Sequence, residues 1–293
     1  MYVVENYKDN KRFNSQYNEI CRFLKISADR DYNEHFHWGR FAWMMTHSYL
    51  EIAMLPHISL FRNNTGQLVG MVVYDTSYDD RWYIIHSVSD KELLMQMIEY
   101  VTEMDAGSAV IKANSKDAVL CNLLENSEYR EQYSDSVLEM DLSHNLSFHL
   151  PQGFSVIDSS TSKIDNWKWR MSIHRGFDNE GIPQMPSDEQ AKNEKYLEIS
   201  EYIKAFAVEN GEYDAHCGVW YDFGDTAYIE PVATALEHRN KGLGKAVVYK
   251  ALSIAKQRGA KRAIVLSDQD FYLHIGMTKS SEVGTWVKKT KQD

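Results

Sequence analysis

Residues Arg239-Asn240-Lys241-Gly242-Leu243-Gly244 combine the features needed to hold an anion. They follow a strand-like run, Tyr228-Ile229-Glu230-Pro231-Val232-Ala233, and open a helix-like run from Lys245 to Arg258. The first amides of a helix have no partner inside the helix, and the helix dipole favours negative charge there. Gly242 and Gly244 lack a Cβ, so a phosphate can approach the backbone closely. Arg239, Lys241 and Lys245 add positive charge at the same place. The implied ligand carries a pyrophosphate. The competing reading is a structural turn, which a G-x-G pair also marks.

The pattern fits neither common nucleotide template. It has no third glycine at the dinucleotide spacing and no G-K-[ST] to hold magnesium. It resembles instead the R/Q-x-x-G-x-G/A loop of the GCN5-related N-acetyltransferase (GNAT) family. Two more segments carry the resemblance. Glu230-Pro231-Val232-Ala233 is similar to the family's central strand, and Phe271-Tyr272-Leu273-His274-Ile275-Gly276-Met277 to its F-Y-x-x-x-G-F signature, with Met277 in place of Phe. The order and spacing of the three pieces also agree.

The resemblance implies that the amides of Arg239, Asn240, Lys241, Gly242, Leu243, Gly244 and Lys245 hold the pyrophosphate of acetyl-coenzyme A. Val232 and Ala233 would pair with its pantetheine arm as an added strand, and an amide there would contact the thioester oxygen. Pro231 suits a bulged strand, since it cannot donate to a ladder. Acetyl transfer to an amine also requires the amine, with a pKa of about 10.4, to lose a proton, and favours a proton source for the departing thiolate, whose pKa is about 8.5. Tyr272 stands at the family's position for that source; its other reading is a core aromatic. Glu230 is the leading general base, acting through a water; its other reading is a solvated or salt-bridged strand residue. Where many relatives place a pantetheine-binding Asn, this chain has Val265, which leaves Asp268 or Gln269 as substitutes. Substrate contacts in the family come mainly from the loop between the first two helices, here with Phe177, Asp178, Glu180 and Asp188, and from the terminal strands; the loop's acids would attract an amine, and the other reading of each is a solvated loop residue.

These groups need elements to position them. In the C-terminal half the pattern predicts a strand at 153–157, helices at 162–175 and 188–200 with Ser187 as a cap, and strands near 203–209, 213–221 and 226–233. The glycine turn and its helix follow, stopped by Gly259. A buried strand at Ala263–Leu266, a short helix around Phe271 and a last strand near 282–288 complete the half. The N-terminal half predicts helices at 14–25, 36–50 and 90–104, and strands near 57–62, 68–74, 82–86, 109–113 and 137–142. Its order echoes the second half, yet the matching junction, Ser87-Val88-Ser89-Asp90-Lys91-Glu92, has no glycine and two acids, and would repel a pyrophosphate. The reading is an α/β (α+β) protein of two tandem GNAT-like domains, each a mixed, mostly antiparallel sheet flanked by helices. Residues 1–145 would be a degenerate domain and 150–293 the acetyl-coenzyme A-binding catalytic one.

Composition sets the outer bounds. A chain of 293 residues with 43% hydrophobic content is long for one domain and sufficient for packed cores. A net charge of −10 argues against a nucleic-acid partner and suits cationic or neutral substrates. The widely spaced Cys21, Cys121 and Cys217 suggest a reducing, cytoplasmic setting. No signal-peptide pattern and no apolar run near the roughly 18 residues needed for a membrane span is visible. Self-association is compatible with the sequence. His35 and His37 form an H-x-H pair without a supporting third ligand, so they read as helix-surface histidines and no metal is expected. Lys288-Lys289-Thr290-Lys291 reads as a solvated terminus.

The expected function is an N-acetyltransferase acting on a small-molecule primary amine by direct attack. The rivals are transfer of another acyl group, and a coenzyme-binding sensor or scaffold without turnover.

Overall fold

The structure is a computed structural model describing residues 2–28, 30–77, 79, 81–104 and 109–289. The chain forms two compact units. The first takes Met1–Leu138, Leu266–Asp268 and Lys279–Asp293; the second takes Glu139–Val265 and Gln269–Thr278.

The first unit runs β1 (Val3–Asn6), α1 (Ser15–Ser27), α2 (Trp38–Thr46), β2 (Ser59–Arg62), β3 (Leu68–Val73), β4 (Arg81–His86), α3 (Lys91–Met104), β5 (Val110–Asn114), α4 (Ala118–Asn126) and β6 (Tyr129–Asp141), whose end from Glu139 on is counted with the second unit. β3 is buried along its length, as a strand covered on both faces must be. Leu93, Leu94, Met97, Ile98 and Val101 form the buried stripe of α3. Gly70 admits this helix, because a Cβ there would lie 3.1 Å from the Met97 sulfur. The strands from β1 to β4 pair antiparallel, and β4 pairs parallel with β5.

The C-terminal strand of the chain, Thr278–Lys288, lies between β5 and β6. It pairs antiparallel with β5, Val283 opposite Asn114 and Val287 opposite Val110. The buried Lys112 ammonium ties the three strands, donating to Asp135 Oδ2 and to Thr285 Oγ1 at 2.7 Å each. Expected halves of 1–145 and 150–293 would count this strand with the second half. Nothing local in its sequence says which sheet it joins, since strand pairing is set by cross-strand neighbours.

Other differences also have local causes. α2 is shorter than the expected 36–50 because His37 caps it, accepting from the Gly39 amide at 3.1 Å, and the backbone turns extended at His47. His35 and His37 are therefore not on a helix surface. They are buried in the turn that precedes α2, and burial lowers their pKa values to about 4 and about 3, so both are neutral at pH 7. β6 starts at Tyr129, ahead of the expected 137, along exposed charged residues that carry no apolar alternation. β1 and α4 were not anticipated. Thr290 and Lys291 of the basic tail lie outside the described residues.

The second unit runs β7 (Ser155–Asp158), α5 (Asn166–Gly176), α6 (Asp188–Glu194), β8 (Tyr202–Glu209), β9 (Glu212–Trp220), β10 (Thr226–Thr234), α7 (Leu243–Gln257), β11 (Arg262–Leu266) and α8 (Asp270–His274). The sheet order is β11-β10-β9-β8-β7, antiparallel except for the parallel pair β10–β11. Asn210 and Gly211, at φ +52° and +83°, make the two-residue turn of the β8–β9 hairpin. Ser187 caps α6 as expected, accepting from the Gln190 amide. α7 buries Leu243, Ala246, Val247, Ala251, Ile254 and Ala255, the stripe its sequence period predicts.

Expressed alone, residues 1–145 lack the strand that fills the space between β5 and β6. The expected outcome is no cooperative urea transition by tryptophan fluorescence. A sharp two-state transition for this fragment would show that the C-terminal strand is dispensable to the first unit.

Candidate functional site

The site of the second unit begins with a break in the sheet. β10 pairs with β11 only over Thr226–Tyr228, opposite Arg262–Ile264. On its other side its register against β9 shifts between Ile229 and Val232, a bulge at Pro231. A cleft of about 640 Å³ opens past this break, lined by Val232, Ala233 and Thr234 on one side and by Gln269, Phe271, His274 and Ile275 on another. Arg239, Asn240, Gly242, Gly244 and Lys245 line the same cleft.

That turn has the backbone of an anion cradle. Asn240 and Gly242 both take left-handed conformations, φ +60° and +84°, and such alternation makes amide-lined concavities. Gly242 occupies the N-cap of α7 and offers no side-chain acceptor, so nothing on it competes for the first amides of the helix. A side chain at Gly244 would crowd the cleft. A Cβ there would meet the Phe271 ring at 3.1 Å and Thr234 Oγ1 at 3.3 Å, across the cleft. A diphosphate therefore has main-chain donors, room, and the charge of Lys245, whose ammonium lies 4.9 Å from the centre of the Tyr249 ring.

The other wall is the end of α5. Gly176 lies so close to β10 that a Cβ would overlap Ala233 Cβ at 2.5 Å. Phe177 and Asp178 follow into the cleft lining. Arg239 holds this wall. Its Nε donates to Thr234 O at 3.1 Å, and its Nη2 to Gly176 O at 2.9 Å and Asp178 Oδ1 at 2.7 Å.

The two residues expected to be catalytic sit beside the break. Glu230 Oε2 accepts from the Tyr228 hydroxyl at 2.7 Å, and the Glu230 carbonyl accepts from the Trp220 indole at 3.2 Å. Tyr272 is 7% exposed. Burial, with Cys217 and Glu230 nearby, pushes its hydroxyl well above the ordinary tyrosine range, so it stays protonated. Cys217 is itself buried, and burial raises its thiol. The structure thus brings Tyr272 and Glu230 into one electrostatic neighbourhood, adjacent to but not in the cleft lining.

Of the other expected residues, Leu243 turns into the core as the first apolar position of α7, and Lys241 Nζ lies 3.3 Å from His238 Nδ1. Glu180 is exposed, and its carbonyl faces His174 Nε2. Sequence reasoning missed Tyr228, although its place two residues before Glu230 puts both on one strand face. It also missed Gly176, Thr234 and His238, whose roles depend on which elements touch.

The first unit contains the same strand break without the cradle. β4 pairs with β5 only from Arg81 to Tyr83, and past it the chain's own Tyr32 stacks on His86 at 4.6 Å while Asn33 Nδ2 donates to His86 O at 2.8 Å. At the start of α3, Asp90 Oδ1 accepts from the amides of Glu92 and Leu93 at 2.8 and 3.2 Å. A carboxylate of the protein stands where a phosphate would bind.

Comparisons with known proteins agree with this geometry. Residues 165–277 match the model of the acetyltransferase (GNAT) family. Comparison with curated protein sequences returns no match. Among solved structures, the fold is similar to a tandem GNAT protein from the clavulanic acid biosynthesis pathway, at 11% identity and a TM-score of 0.57 over 98% of each chain. It is similar to a GCN5-related N-acetyltransferase from Sphaerobacter thermophilus, at 13% identity and a TM-score of 0.54 over 97% of this chain and 94% of that one. It is also similar to the C-terminal domain of a putative lysylphosphatidylglycerol synthetase from Agrobacterium fabrum, at 10% identity and a TM-score of 0.61 over 94% of this chain and 93% of that one. Residues 165–277 thus match the GNAT acetyltransferase family model, and the chain as a whole has the fold of a tandem GNAT protein.

Proposed function

We propose that the second unit transfers an acetyl group from acetyl-coenzyme A to a primary amine of a small molecule, and that the first unit supports it without binding coenzyme. The observation that carries this reading is the uncapped, glycine-walled start of α7 at the mouth of the cleft beside the β10–β11 break. The amides of the turn 239–245 hold the diphosphate, and the edge of Val232–Ala233 takes the pantetheine arm.

Glu230 removes the ammonium proton through a water, with its own carboxylate oriented by Tyr228. The amine nitrogen then forms a bond to the thioester carbon. An amide on the bulged strand steadies the oxyanion, and the C–S bond breaks as the tetrahedral species collapses. Tyr272 donates its hydroxyl proton to the departing sulfur and recovers one from the amine by way of solvent. Glu180, exposed in the loop that follows α5, favours a cationic acceptor. The glycine turn supports a coenzyme A thioester over an aminoacyl-tRNA donor. A cytoplasmic setting accords with three free thiols, and no helix among the described residues is long and apolar enough to cross a membrane.

Gly244→Glu should remove coenzyme A binding by isothermal titration calorimetry, through both steric block and repulsion, with the protein still folded; unchanged affinity would mean the diphosphate sits elsewhere. On an amine returned by a thiol-release screen, Tyr272→Phe should lower kcat on the order of 10²-fold and leave the coenzyme Kd within a few-fold; full activity would remove Tyr272 from the mechanism. The same calorimetry should give one coenzyme per chain, because Asp90 already caps α3; a stoichiometry of two would contradict the assignment of the first unit.

A further inference from the structure

Asp178 occupies an unusual place for an acid. α5 ends in a reciprocal pair of bonds, with the Asp178 amide donating to Arg175 O at 3.2 Å and the Asn179 amide to His174 O at 3.1 Å. The residue at the centre of such an ending is left-handed and is usually glycine. Here it is Asp178, at φ +57°. Its carboxylate accepts from the Nη2 of Arg239 at 2.7 Å. The same nitrogen donates to Gly176 O, and Nε of the same guanidinium to Thr234 O. One planar group thus joins the end of α5, the second loop residue and the end of β10, immediately before the glycine turn.

The electrostatics give this clamp a second consequence. Asp178 and Arg239 line the same cleft. An unpaired carboxylate there would repel a diphosphate, and Arg239 cancels it. Resting on the coenzyme reading above, we infer that Arg239 is a positioning residue. It serves coenzyme binding by neutralising Asp178 and holding the Gly176–Asp178 wall against β10, and its guanidinium is not a direct phosphate ligand.

The two roles separate in a double-mutant cycle on the full chain, with coenzyme A as the probe and calorimetric Kd as the readout. Arg239→Gln should weaken coenzyme A by about tenfold or more, since it leaves Asp178 unpaired. Asp178→Asn alone should shift the Kd by less than about threefold. The double variant should recover most of the loss, because the repelling charge is gone. A double variant as weak as Arg239→Gln alone would identify a direct phosphate contact and overturn the inference, as would an Arg239→Gln protein with parental affinity. Should Arg239→Gln unfold the protein, the Asp178→Asn arm still decides: a loss of tenfold there would contradict the inference. If the parent chain binds no coenzyme A, the functional reading fails and this one with it, whereas binding without rescue removes the inference alone.

Discussion

The whole site depends on a helix left uncapped. A helix start carries amides that must find acceptors, and most proteins supply one from a side chain. α7 begins on a left-handed glycine that supplies none, at the edge of a cleft. The unmet hydrogen bonds are then available to an external anion, and the dipole adds to the same preference. The other features of the second unit keep that vacancy open and aimed. Gly244 keeps a side chain out of it, the break between β10 and β11 gives the ligand's arm a strand edge, and the Gly176 close approach builds the facing wall.

The first unit makes the point by contrast. It repeats the parallel pair that parts after a short stretch, followed by a helix in the same place in the order of elements. There the chain answers its own demand. Asp90 caps α3, and Tyr32 and Asn33 lie against His86 beyond the break. The two junctions thus differ in a few residues on a similar order of elements, and the proposed division into a binding and a silent unit rests on them. What remains for the first unit is structural: its sheet takes in the last strand of the chain, fixed by the buried Lys112.

Much of this was legible in the sequence because it is local. The period of α7, the hairpin glycine at 211, the caps and the glycine turn each follow from residues close together in the chain. The acidic junction at 87–92 was legible too, and in the structure its Asp90 caps α3. What escaped was non-local. The destination of the strand 278–288 depends on partners more than 150 residues away, at Val110–Asn114. The burial of His35 and His37 depends on where the turn before α2 packs. Arg239 looked like a phosphate ligand from its neighbours in sequence, while its guanidinium bonds atoms of Gly176 and Asp178, about 60 residues earlier.

The central claim is that main-chain nitrogens at the start of α7 bind the diphosphate of a coenzyme A thioester. Amide chemical shifts of the full chain, followed by NMR as coenzyme A is added, test it at the atoms concerned. The account expects the largest changes at Gly242–Lys245 and along Val232–Thr234, with the amides of Lys91–Leu93 unmoved. Changes centred on Lys91–Leu93, or anywhere else with Gly242–Lys245 silent, would contradict it.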